Sequence, residues 1–336
     1  MTVILQAGSE FEAVEELHRM GCTDGLPVIV PTPERVERMT LAAGLDADAA
    51  LGTMGPLHGV CTVEKLASAA VMAGCLPDHM PIVLAAAKAV IEPEFDLTEM
   101  QATTFGTAPL IIVNGPARHL CGVSSGFGSL GPGHRANASI GRALRLAMIN
   151  IGGARPGSSD MTLLGHGGKF GQCMAEDEEH SPFSPLHVSR GYEMDQSVVT
   201  VIGTEAPHSV AHQADADDPT SPTRLLDGLA DSVCAHGSNN AWLGGGQAVV
   251  VITPEQTAEL AAAGHDRVSI CEHIVTRAKT RDGRQSFRSP DDILLVAAGG
   301  AGLYSFTFPT WCAGAHQNRA VSMPVDIGQA CEIPWN

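Results

Sequence analysis

PLIIVN (109–114), SSGFGSLGPGHRANAS (124–139) and SIGRALRLAMINIG (139–152) together form the stretch whose reading decides the fold. PLIIVN is a short unbroken apolar run closed by Gly115 and Pro116, the pattern of a buried strand. The glycine-rich loop that follows leads into a helix ending on Gly152-Gly153. Strand, loop, helix is the grammar of an α/β layer protein. Downstream, Val198–Ile202, Ala248–Ile252 and Ile293–Ala297 repeat the buried-strand pattern. Helices are predicted between them over Thr223–Ala235, Pro254–Ala263 and Arg267–Ala278.

Upstream the character differs. SEFEAVEELHRM (9–20) places Phe11, Val14, Leu17 and Met20 on one helical stripe behind a Ser cap. In CTDGLPVIVPTP the prolines confine any strand to Val28–Val30, and Thr32-Pro33-Glu34 then starts a second helix. Two more are predicted at Val63–Ala73 and Pro81–Ile91. The expected fold is therefore α/β: a mainly helical N-terminal part over 1–105, then a mixed or parallel sheet core with covering helices over 106–336, with one continuous domain as the alternative. Neither strand order nor an internal repeat is legible.

Composition bounds the function. The chain has 336 residues, 44% hydrophobic and 17% charged, as a folded globular protein does. Asp and Glu outnumber Lys and Arg 37 to 20, and the formal charge of −17 repels a phosphate backbone, so nucleic acid is not an expected partner. The longest apolar run, 81–91, contains Lys88 and is too short to span a membrane. The N-terminus lacks the basic start and the cleavage site of a secretory signal. Nine scattered cysteines without a CxxC pair point to a reduced, cytoplasmic protein. A homo-oligomer acting on a small molecule is expected.

Chemistry concentrates in Gly165–Gly191, GHGGKFGQCMAEDEEHSPFSPLHVSRG, the predicted active-site segment. Read as a short helix, CMAEDEEH puts Cys173 near the helix start, on a face shared with Glu176 and with Glu179 or His180. The helix dipole and Lys169 favour a thiolate there, whereas the acidic run opposes it. Three readings stay open. Cys173 is a nucleophile with His187 or His166 as base and a glutamate, Glu176 or Glu179, carrying the proton. Alternatively, Cys173, His187 and Glu176 bind a divalent metal that activates water, without any standard zinc spacing. Or Cys173 is a small buried hydrophobe beside a solvated acidic face. The first needs no cofactor; the second needs the metal.

FGSLGPGHRANASIGRALR (127–145) supplies a second constellation. Glycine N–H groups at a helix start, with His134, Arg135, Asn137 and Arg142, suit a carboxylate or phosphate. The stretch is neither a P-loop nor a dinucleotide fingerprint. Lys169, Arg190 and His208, the last just after a predicted strand, complete the expected substrate-binding set. Asp24, His58, Cys61 and His316 carry less signal, and GGAG (299–302) follows a strand where its backbone could approach a ligand.

On TDGLPVIVPTPERVE, GPGHRANASIGRALRLAMINIGGARPG, the 165–191 segment and DDILLVAAGGAG, the chain resembles a widespread bacterial family with no assigned activity. That family is loosely associated with proteins carrying a UGSC (selenocysteine or cysteine) motif. This chain has no such motif, so the resemblance implies neither selenium nor redox chemistry here. It implies that Cys173, Glu176, His187 and Arg190 belong to a family pattern, with Cys22 standing where similar sequences suggest a tryptophan. The expected activity is that of a hydrolase or lyase on a small anion, with Cys173, His187 and Glu176 as machinery and Arg135 and Arg142 as clamp. The alternatives are a metal-dependent hydrolase or lyase and a non-catalytic substrate-binding subunit of a multi-protein reductase, which would have a partner protein.

Overall fold

The computed structural model describes residues 5–328 and 330. Its elements are α1 (Glu10–Arg19), α2 (Pro33–Ala42), a hairpin of β1 (Ala50–Met54) and β2 (Gly59–Thr62), α3 (Val63–Ala73), α4 (Met80–Ile91) and α5 (Leu97–Ala102). There follow β3 (Ala108–Asn114), α6 (Ala117–Leu120), α7 (Arg135–Asn150), β4 (Gln172–Ala175), α8 (Leu186–Ser189), β5 (Val198–Thr204) and β6 (His208–Ala211). The chain continues through α9 (Ser221–Val233), α10 (Asn239–Trp242), β7 (Ala248–Ile252), α11 (Pro254–Ala262), α12 (Arg267–Arg277), β8 (Ile293–Ala297), β9 (Tyr304–Pro309) and β10 (Val321–Pro324). Caps fix several starts: Ser9, Thr32 and Thr62 each accept from a first-turn N–H. Val28–Val30, the one strand the early prolines allowed, is irregular.

The fold is α/β, with two mixed four-stranded sheets ordered β10-β5-β3-β4 and β6-β9-β7-β8. They stack face to face. Leu110, Ile112, Met174 and Ile202 of the first sheet meet Val249, Val251, Leu294, Val296 and Phe308 of the second in one apolar cluster. The alternate residues point outward. Ile111, Val113, Cys173 and Val201 pack under helices α2 to α5 and α7, while Val250, Ile252 and Leu295 pack under α9, α11 and α12. Strands buried on both faces must be apolar at every position, which is why they read as unbroken runs. Helices on either side of residue 105 share the first of these outer clusters, so the N-terminal helices are the outer layer of the first sheet rather than a separate body.

The two sheets repeat one plan. In each, a parallel pair (β3/β4, β7/β8) is joined by an antiparallel third strand beside its first member (β5, β9). A fourth strand lies antiparallel to the third, and here the halves trade. β6 follows β5 in the chain but pairs with β9, and β10 follows β9 but pairs with β5. The chain thus holds an internal structural duplication that the sequence did not disclose. The halves differ in the connection that follows the parallel pair. Residues 298–303 link β8 to β9, whereas 176–197 link β4 to β5. No helix among the described residues is long and apolar enough to cross a membrane.

Candidate functional site: a cleft between the sheets

The long 176–197 connection folds over the ends of β3 and β4 and the start of β5. Leu186 enters the inter-sheet core, and Arg190 donates to Ser322 Oγ (2.6 Å) and the Ala320 carbonyl (2.9 Å). That end of the first sheet is plugged. At the other end, where β4 starts and β5 stops, the space between the sheets opens into a cleft of about 620 Å³. Met174, Val251 and Phe306 form its apolar floor, and Gln172, Ser129 and Thr253 add polar groups.

Three glycine-rich segments wall the cleft: Gly128–Gly131, His166–Gly171 and Ala298–Gly300. Their placement depends on the absence of side chains. A Cβ on Gly141 of α7 would lie 2.6 Å from the Gln172 nitrogen, so the helix and the start of β4 meet backbone to backbone. A Cβ on Gly300 would lie 2.0 Å from the Phe127 ring, which covers that glycine. Asn137, buried in the first turn of α7, holds the first wall by bonding the Ser124 N–H and carbonyl and the Ser129 carbonyl, each at 2.9 Å. The N–H groups of Gly128, Leu130 and Gly300 find no backbone acceptor among the described residues.

His166 and Tyr304 are the titratable side chains of the lining. The His166 Nδ1 caps the turn Gly167–Phe170 by accepting from the Gly168 N–H at 3.1 Å. Its Nε2 is buried, turned toward the Thr204 backbone without a hydrogen bond of good geometry. Burial, then the charges of Lys169 and Arg145, lower its pKa, so the imidazole is neutral at pH 7. Behind this wall two cations share one carboxylate. Lys169 Nζ lies 2.9 Å from Asp160 Oδ2, while Arg145 Nη1 lies 3.7 Å from the same oxygen and 3.2 Å from Gln101 Oε1. Arg145 Nη2, Gln101 Nε2 and Thr107 Oγ1 are buried with no partner. The local balance is positive in an otherwise acidic protein.

The predicted site residues fall elsewhere, and the first correction is one of secondary structure. CMAEDEEH is not a helix. It is the end of strand β4 followed by irregular chain that bends at Glu179-His180, so Cys173 and Glu176 do not share a helical face. Cys173 points into the helix-side core, 2% exposed, and burial drives its thiol far above the usual range. A thiol so placed is no nucleophile and no ligand. His187 is fully buried, with Nδ1 3.9 Å from Glu178 Oε1, beyond hydrogen-bond reach. Glu176 accepts from Asn114 Nδ2 (2.6 Å) and the Leu186 N–H (2.7 Å), and burial raises its pKa. Glu179 is clamped by both Arg118 nitrogens, which with His119 pull its pKa to about 2. These charges satisfy one another and tie down the plug. Cys173, His187 and Glu176 do not assemble, and no group of three metal-ligating side chains exists among the described residues.

The expected anion clamp also divides. Arg142 grips Asp24 through two bonds (2.7 and 2.9 Å) and the Leu26 and Pro27 carbonyls, latching TDGLP onto α7. Arg135 lies outside the cleft, its Nε donating to the Gly74 carbonyl at 3.0 Å. His134 Nε2 bonds the Phe127 carbonyl at 2.9 Å, and Lys169 stands behind the cleft wall. His208 opens β6, and its neighbours Ala206 and Pro207 line the cleft. Gly299 and Gly300 of the GGAG segment reach the wall. Gln172, Ser129, Thr253 and Phe306 carried no sequence signal, because isolated polar or aromatic residues without spacing resemble any others.

No protein-family model matches this chain, and no curated protein matches it.

Proposed function

We propose that the protein is a small-molecule enzyme of hydrolase or lyase type that seats a small anionic substrate in the inter-sheet cleft. The observation that carries this reading is the cleft itself, walled by glycine backbone and backed by two cations against one carboxylate. Preorganised backbone N–H groups stabilise developing negative charge without reorganising, which is the largest single contribution in many acyl- and proton-transfer enzymes. His166, neutral at pH 7, takes the proton-transfer role expected from the sequence for Cys173 and His187. For that role the Gly168 N–H must release Nδ1, a local movement that the Gly167-Gly168 pair permits.

That same bond favours a second reading, a binding subunit that holds the anion for a partner protein. The described cysteines are all free thiols, which supports a cytoplasmic setting, and homo-oligomerisation is part of the proposal.

The test is a thermal-shift panel of small mono- and dicarboxylates on the intact protein and on Gly167→Phe. Gly167 lines the cleft, and a Cβ there meets nothing within 4 Å and strains no backbone, so phenylalanine adds bulk at the cleft wall without unfolding it. A ligand at about a hundred times its Kd adds about 2.7 kcal/mol, or about 4 °C for a chain of this size. We expect that shift in the wild type and its loss in the variant. No stabilising carboxylate, or equal stabilisation of both proteins, refutes the cleft as the anion site. Mass spectrometry of the incubated ligand separates the readings: conversion supports the enzyme, and an unchanged ligand supports the binding subunit.

A further inference from the structure

A second recess lies on the helical side of the molecule, where α2, the Leu76-Pro77 turn and the start of α7 meet. It has a volume of about 140 Å³, and Arg35, Arg38 and Arg135 line it together with Met39, Val71 and Cys75. We propose that this recess is a binding site for a tetrahedral oxyanion of the phosphate class.

Three arginines lining one small hollow are conspicuous in a chain with only 20 basic residues and a formal charge of −17. Their donors are largely unspent. Arg35 uses only Nη1, toward Glu10 (2.7 Å) and the Val30 carbonyl (2.9 Å). Arg135 uses only Nε, toward Gly74. Arg38 feels the charge of exposed Glu34 but makes no hydrogen bond among the described residues. Asp78, the other carboxylate that feels Arg135, has its pKa raised by burial. Glu10, Glu34 and Asp78 are the carboxylates near the three arginines, yet most of the guanidinium N–H groups make no hydrogen bond among the described residues.

Shape and backbone agree with charge. A water molecule occupies about 30 Å³ of liquid, so this volume suits one tetrahedral oxyanion with attendant waters. Guanidinium forks match phosphate oxygens in pairs, which a single ammonium does not. Arg135 is also the first residue of α7, whose start lacks any side-chain cap, so the positive end of a 16-residue helix dipole borders the recess. The segment that supplies Arg135 begins at the Gly128–Gly131 wall of the cleft, so an anion here braces that wall from behind. The inference does not rest on what the cleft binds.

The experiment is calorimetric titration of the full chain with inorganic phosphate and, separately, with glycerol 2-phosphate, the ionic strength being held constant with sodium chloride. We expect saturable binding of one equivalent, weakened about tenfold or more in both Arg38→Ala and Arg135→Ala. Arg38→Lys should recover only part of the affinity, because it restores the charge but not the fork. Arg277→Ala, which removes a surface ion pair with Asp231, controls for net charge and should bind as the wild type does. Tighter binding of the ester identifies a phosphomonoester as the ligand, and tighter binding of the inorganic ion identifies free phosphate; either supports the site. Absence of saturation with both, or undiminished binding by the Arg38 and Arg135 variants, overturns it. Because neither arginine lines the cleft, the response to Gly167→Phe stays separate, and either proposal can fail alone.

Discussion

Glu205→Gln should gain stability relative to the wild type as pH rises from mild acid to alkaline. Glu205 follows β5, is 9% exposed, and accepts the Asn239 N–H at 2.8 Å where α10 begins. One hydrogen bond is too little for a buried carboxylate, and burial pushes its pKa from 4.5 to about 7. The folded state therefore holds this proton more tightly than the unfolded chain does. Below about pH 4.5 both states are protonated and the group costs nothing. As pH rises through 4.5 and on past 7, the unfolded chain gives up its proton first and stability falls. A displacement of that size at 1.36 kcal/mol per pH unit amounts to about 3 kcal/mol, or about 4 °C in Tm for a chain of this length. Glutamine keeps the Asn239 bond and never ionises. Any cost of its second amide nitrogen, about 1–3 kcal/mol if unpaired, is independent of pH and cancels when two pH values are compared. Thermal unfolding of both proteins at pH 5 and pH 8.5 measures the difference. A gap between wild type and variant that is the same at both pH values would refute the reasoning, as would a variant relatively less stable at pH 8.5.

His79 should act in the opposite direction: burial lowers its pKa to about 4, so stability is lost as pH falls from 6.5 toward 4, and His79→Gln should flatten that limb by about 3 kcal/mol in acid unfolding curves. Iodoacetamide at pH 7 should leave Cys173 unmodified in the native protein while half-buried Cys22 reacts, as read by peptide mass spectrometry; labelling of Cys173 ahead of Cys22 would revive the nucleophile. Arg142→Ala should cost about 3–5 kcal/mol by leaving the Asp24 carboxylate, 3% exposed, unpaired, and adding Asp24→Asn should recover part of that loss in the same denaturation assay. Gly141→Ala should push β4 away from α7, costing about 1–3 kcal/mol and weakening any ligand of the cleft in the thermal-shift panel.

The strands that the sequence disclosed are those buried on both faces. The runs AVVVI (248–252) and ILLVA (293–297) are apolar at every position because one face meets the other sheet and the other meets helices. Strand β4 escaped notice for a local reason. It is four residues long and runs straight into EDEEH, whose charges at spacings of three and four imitate a helix face. Only pairing with β3 makes it a strand, and pairing is not a local property. The duplication was hidden because it resides in strand order and exchange while the side chains of the two halves differ. Charge density is highest at 176–179, yet Glu176, Glu178 and Glu179 are held by Asn114 and Arg118 over the plug. A cleft built from glycine backbone offers few side chains to notice, and its cations stand behind the wall.

The exchange of β6 and β10 makes each half of the chain the guardian of the other's edge. A cut in the largely exposed 213–220 connection leaves an N-terminal fragment whose first sheet lacks β10 and a C-terminal fragment whose second sheet lacks β6. Each fragment would bare the flank of an inner strand and carry a spare strand that fits only its counterpart. Neither is a self-sufficient domain, but the two made together hold the parts to reassemble. The boundary between the halves is therefore a place where a cut should leave two pieces that each lack the strand the other carries, and not one where the chain should tolerate being shortened.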